Sequence, residues 1–258
     1  MRDPGLNDAI RAAGGISELA RRIGISQPSV SNWDRVPAER VLIIEAVTGI
    51  SRAALRPDLY DNEASTAAID EVDKARAQEY TLLALLLGRA PSPDVLKRLS
   101  KLQAEPTPLG LAHAALAEAA QSVTAEVVER EYFDLFIGLG RGELLPYGSY
   151  YLTGFLHERP LARLREDLRI LGIERAEGQY EPEDHAAILC EIMAGLISGA
   201  FAAPPASDQQ IFEKHIKPWM GRFFADVERS EAAKFYAHLG RVGRLFIEIE
   251  TEAFALPS

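Results

Sequence analysis

The chain has 258 residues, 47% hydrophobic and 26% charged, which is ordinary for a globular protein and long enough for two domains or one large one. Its single cysteine, Cys190, excludes an internal disulfide and fits a reducing cytoplasm. The net charge of −10 is uneven: residues 1–60 hold eight Arg against seven Asp or Glu, and the rest hold 20 basic against 31 acidic groups. Phosphate would therefore tolerate the first part and repel the second.

Apolar spacings of three and four recur along the whole chain, and period-two alternation is scarce, so the expected fold class is all-α. The first sixty residues read as a small helix-turn-helix bundle, 61–73 as an acidic linker or weak connecting helix, and 74–258 as a larger helical domain. The longest apolar run, Leu82 to Leu87, is far short of the ~20 residues of a membrane span. Residues 1–15 lack the apolar segment of a cleavable signal. Arg21-Arg22 sits inside an amphipathic pattern with no apolar stretch after it, which argues against an export signal. The expected location is the cytoplasm, without membrane insertion.

Within the first part, a turn between two short helices is carried by Ala20, small enough for close helix approach, and by Gly24, which tolerates positive φ. Val30 and Trp33, three apart, supply the inner anchor of the second helix. Ser26 is its expected cap, and Pro28 is tolerated in its first turn. Gln27, Ser29, Asn32 and Arg35 then face outward. Gln and Asn pair with adenine edges, and Arg with guanine or phosphate. Arg21, Arg22, Arg40 and Arg52 are candidate phosphate contacts. A further helix, Pro37 to Thr48, is expected to end at Gly49. With the stretch Val36-Pro-Ala-Glu-Arg40 and the tail from Ile50 to Tyr60, residues 5–60 resemble the Cro-like repressors, most closely the YdaS-like antitoxin type. The resemblance implies DNA as a partner of residues 1–60, bound by a homodimer.

In the second part, segments 80–88, 93–103, 109–120, 124–137, 160–171, 182–200, 208–228 and 231–254 read as helices. Tyr132, Leu135 and Phe136 form a stripe running into Gly138-Leu-Gly140-Arg-Gly142. That loop lacks the preceding strand and the following Lys-Ser or Lys-Thr of a phosphate cradle, so it reads as a helix end and turn. Pro182, with acids beside it, reads as the first turn of a helix whose buried stripe is Ile188, Ile192 and Leu196. On the residues alone, Asp184 is a charge complementing the helix dipole and His185 a polar residue bonded to a neighbouring loop. Phe212, His215, Trp219 and Phe223 share one face and read as core.

Four motifs stand in order: Tyr132-x-x-Leu-Phe-x-Gly138, Pro146-Tyr-x-Ser-x-Tyr151, Glu181-Pro-x-Asp-His185 and His215-x-x-x-Trp-x-x-x-Phe223. Together they resemble the TorD/DmsD/NarJ family, which chaperones molybdenum-containing oxidoreductases. Gly148 departs from the pattern, where the family often has Glu. The resemblance implies a groove holding the apolar part of a client's leader peptide, or the apo client itself, with formate dehydrogenase as an example. It places Tyr147, Ser149, Tyr150, Asp184 and His185 in that groove. The acidic balance of this part suits basic residues in such a peptide.

The five His lack metal-pair spacing, Cys190 stands alone, and there is no Gly-x-Ser-x-Gly elbow. No metal, no cofactor and no catalytic residue is expected. The competing expectation is a transcriptional regulator whose helical domain only senses a ligand or dimerises.

Overall fold

The computed structural model describes residues 3–50, 52–57, 63–102, 105–175, 178 and 180–256. Among them the fold is all-α, and the backbone pairing outside the helices includes one isolated antiparallel bridge, Tyr147 with His185. The chain divides into two compact units, Met1–Val72 and Asp73–Ser258.

In the first unit, α1 (Pro4–Ala13) starts at Asp3, whose carboxylate accepts from the Gly5 N–H at 2.9 Å, and stops at Gly14 in the left-handed region. Helices α2 (Ile16–Arg22) and α3 (Gln27–Ser31) flank Gly24, with φ +73°, as the motif requires. Leu19, Ala20 and Val30 are buried between them, with Leu6, Ile44 and Leu55 from α1, α4 (Val41–Thr48) and α5 (Arg52–Leu55). A short 3₁₀ turn, Ala38–Arg40, precedes α4, and Gly49 ends α4 with φ +73°. Two expectations need correction. Helix α3 is only five residues long, so Trp33 lies past its end and packs half-buried from the loop. Ser26 occupies the cap position without a cap bond, and its hydroxyl instead pairs with that of Ser29 at 2.8 Å.

Helix α6 (Glu63–Gly88) takes in the acidic stretch from residue 63 onward. From Asp73 the second unit follows as α7 (Pro93–Leu99), α8 (Pro108–Ser122), α9 (Ala125–Tyr132), α10 (Gly148–Thr153), α11 (Arg159–Ile170), α12 (Ala186–Ile197), α13 (Ser207–Ile211), α14 (Met220–Arg229) and α15 (Phe235–Ala253). Wide π-turns, Phe133–Ile137 and Phe212–Ile216, extend α9 and α13. Hence the segments 124–137 and 208–228 are not single α-helices, and the second breaks ahead of α14 at Pro218, which has no N–H to donate.

Helix α15 is central, packed on α8 and α14. It buries Phe235, Tyr236, Leu239, Val242, Phe246 and Ile247. Gly240 lets α14 approach, because a Cβ there would stand 2.5 Å from the Glu228 nitrogen. Its N-terminus, at 235 rather than 231, is held by Glu131 of α9. That buried carboxylate accepts from the backbone N–H groups of Lys234, Phe235 and Tyr236 at 2.7, 3.1 and 2.8 Å. No described helix is long and apolar enough to cross a membrane.

Candidate functional site

Helix α12 begins at Ala186, not near Pro182, and the four residues before it do something the helix reading does not anticipate. Pro146–Gly148 and Asp184–Ala186 run antiparallel for one pair. Gly148 N–H donates to the Asp184 carbonyl at 2.9 Å, and Ala186 N–H to the Pro146 carbonyl at 2.8 Å. Tyr147 and His185 are thus the close, non-hydrogen-bonded pair of an antiparallel ladder. Their rings meet edge to face with centroids 5.0 Å apart. Alternation turns their neighbours Gly148 and Asp184 to the opposite side.

Each side opens on its own cleft. Tyr147 and His185 border one of about 400 Å³, with Tyr132, Phe136, Ile188 and Glu191. Gly148 and Asp184 border another of about 440 Å³, with Leu152, Leu164, His215 and Trp219. Tyr150 belongs to a third hollow, with Tyr151 and Arg222, where its hydroxyl accepts from Arg141 at 3.1 Å. The five residues implied by the motifs therefore lie together in the chain fold but do not line one groove. Ser149 is fully buried at the seam.

The hydrogen bonds fix the two bridge residues. The Tyr147 hydroxyl donates to Glu181 Oε2 at 2.7 Å, and burial followed by that carboxylate pushes its pKa up, so it stays protonated. His185 caps α12, its Nδ1 accepting from the Ala187 N–H at 3.1 Å. Burial lowers its pKa against the pull of Glu181 and Asp184, so the ring is neutral near pH 7 and carries its proton on Nε2. His185 bonds the backbone of its own helix, where the residues alone lead one to expect a neighbouring loop. Asp184 precedes the helix and serves another segment, its Oδ2 accepting from the Ser149 N–H at 2.7 Å. The other oxygen, Oδ1, and the Ser149 hydroxyl are buried without a partner among the described residues.

The second cleft has a charged wall of Asp167 and Lys214, joined by His215, whose place in the sequence pattern is that of a core residue. Asp167 of α11 accepts from His215 Nε2 at 2.7 Å and from Lys214 at 3.2 Å. Burial raises the Asp167 pKa, but His215 and Lys214 outweigh it and the net shift is downward. His215 itself is lowered by burial despite Asp167, so an ionised Asp167 faces a neutral imidazole. Trp219 is core, as expected, and its indole N–H donates to the His215 carbonyl at 2.7 Å. It also explains Gly148: a Cβ there would lie 3.0 Å from the indole nitrogen, too tight for the Glu of the family pattern without movement of a buried ring.

In the first unit, Gln27, Ser29, Asn32, Arg35, Arg21 and Arg22 are all exposed. Gln27 donates to the Ser31 hydroxyl at 2.8 Å. Glu18 holds both arginines of the pair, Arg21 at 2.6 Å and Arg22 at 3.1 Å, and its own pKa falls to about 2 through these hydrogen bonds. Arg52 pairs with Glu45 at 3.2 Å.

Comparison with known proteins agrees with this division. Residues 102–225 match the family model described as nitrate reductase delta subunit, and residues 6–64 match the one described as bacterial toxin YdaS. The chaperone protein TorD of Vibrio cholerae serotype O1 is 27% identical over 127 residues, 46% of this chain and 58% of the relative. The chain thus spans less than two thirds of that relative's length. TorD of Shewanella loihica is 24% identical over 204 residues, 70% of this chain and 93% of the relative. A solved structure from Archaeoglobus fulgidus, named for redox enzyme maturation, is 21% identical with a TM-score of 0.47, over 67% of this chain and 93% of its own. The helical unit of this chain is similar to the TorD family, and the segment before it is similar to the YdaS family.

Proposed function

We propose that this chain is a maturation chaperone that holds the leader peptide or apo form of a molybdenum-containing oxidoreductase in the cytoplasm. The observation that carries the reading is the Tyr147–His185 bridge, flanked on both sides by clefts of about 400 and 440 Å³, in a unit similar to TorD. A neutral imidazole, a protonated phenol and aromatic walls suit an apolar peptide better than an ionic reaction centre. Tyr147 and His185 touch the peptide; Ser149 and Asp184 hold the bridge that presents them. Calorimetric titration with synthetic leaders of several molybdenum oxidoreductases, formate dehydrogenase first, should saturate. Tyr147→Ala should weaken binding about tenfold, a loss of ~1.4 kcal/mol. Flat titrations across all leaders would overturn the reading.

The YdaS-type unit adds a second partner. Exposed Gln27 and Asn32 are spaced to reach base edges, and Arg21, Arg22 and Arg35 to reach phosphate, so client supply is coupled to transcription by a homodimer on an operator. Selection of bound sequences from a random pool, followed by mobility shifts, tests this. Asn32→Ala should cost about 1–3 kcal/mol and relax specificity, whereas Arg22→Ala should weaken all sequences alike and reduce the salt slope by about one. Binding that stays sequence-blind in the wild type would remove the coupling.

A further inference from the structure

Nothing so far assigns a hollow of the second unit, about 570 Å³, which lies between α11 and α12. Its apolar floor is Leu168, Ile173, Ile192 and Phe201. It shares Glu181, Ile188 and Glu191 with the cleft beside Tyr147 and His185, so the two are continuous along the outer face of α12.

Charge decides what this furrow accepts. Arg165 and Arg175 are both engaged by Glu183, at 2.8 and 2.7 Å, and Arg169 by Glu166 at 2.8 Å. At the junction, Glu191 has no partner among the described residues, and Glu181 accepts only the uncharged Tyr147 hydroxyl. The middle of the furrow therefore carries two carboxylates with no cationic partner among the described residues, between an aromatic end and an aliphatic end; at the aliphatic end Glu183 meets two arginines and Glu174 adds a further acid, and Arg89 stands beyond the aromatic end. The cleft on the Asp184 side is charged differently: Lys214 covers Asp167, Asp184 is buried and spends one oxygen on the Ser149 N–H, and Arg163 at the rim has no partner among the described residues.

We propose that the client segment lies along the outer face of α12, its basic residues beside Glu181 and Glu191 and its apolar stripe in the Ile192–Phe201 hollow, and not in the Asp184 cleft. This rests on the chaperone reading and extends it. The occupant is an amphipathic peptide with a basic stretch next to an apolar helical one.

The test uses the full chain and the leader peptides named above, in native form and with Arg and Lys changed to Gln. Two variants of exposed residues on opposite sides are compared, Glu191→Lys and Leu152→Lys. Glu191→Lys should weaken the native peptide at least tenfold, and the Gln peptide should no longer distinguish wild type from variant. Leu152→Lys should stay within twofold. Loss of binding in Leu152→Lys with Glu191→Lys unchanged would place the peptide on the other side and overturn the inference while leaving the chaperone reading intact. A wild-type chain that binds none of the peptides would overturn both.

Discussion

Arg76→Met is expected to cost the second unit about 3–5 kcal/mol, because it strands a buried carboxylate. Glu250 of α15 is only 1% exposed, and its two oxygens are met by Arg76 Nε and Nη2 at 2.7 and 2.9 Å. The same guanidinium reaches Asp73 at 2.8 Å and Asp208 at 3.2 Å, and lies over the Phe254 ring at 5.0 Å. One side chain thus ties α6 to α13 and to the C-terminal end of α15. Remove it and Glu250 keeps only the Tyr80 hydroxyl, at 3.1 Å. Urea unfolding should be followed through Trp219 in a Trp33→Phe background, since each unit holds one tryptophan. The double variant Arg76→Met, Glu250→Leu should recover most of the loss, because an apolar pair of similar volume needs no desolvation. A double variant as unstable as the single one would mean that the packing of Arg76, not its charge, carries the stability.

Asp73 shows where local reading stops. From its neighbours it is the last acid of a polar linker, and only Arg76, one turn on, and Glu250, far along the chain, make it part of a network. Elements carried by their own periodicity were legible: the apolar spacing gave α8, α11, α12 and α15 to within a few residues, and Gly24 and Gly49 stand where left-handed backbone was needed. What escaped depends on partners distant in sequence. Pro182 with adjacent acids is a sound helix-start pattern, yet the carbonyl of Asp184 and the N–H of Ala186 are claimed by Gly148 and Pro146, so the helix waits until Ala186. The motifs bring Tyr147, Ser149, Asp184 and His185 to one place in the fold. They could not show that Tyr147 and Asp184 face different clefts, because that follows from period-two alternation across a bridge that no local pattern announces. Glu181 and Glu191, which set the charge of the outer furrow, look like ordinary solvated acids until the helix is placed beside α11.

Asp184 should behave as a positioning residue, with Asp184→Ala and Asp184→Asn parting company. The alanine variant leaves the Ser149 N–H without an acceptor at a fully buried position, at a cost of about 1–3 kcal/mol. It also loosens the pairing that holds Tyr147 against His185, so peptide affinity should fall about tenfold, ~1.4 kcal/mol. Asparagine keeps an acceptor of the same shape for the Ser149 N–H, and its amide nitrogen takes the place of an oxygen that has no partner among the described residues. Stability and affinity should then both stay near wild type. A charge that met the peptide directly would give the opposite pattern, because asparagine would lose binding as fully as alanine while the unfolding midpoint held. Measuring the urea midpoint and the leader Kd on the same two variants separates a carboxylate that shapes the bridge from one that grips a client.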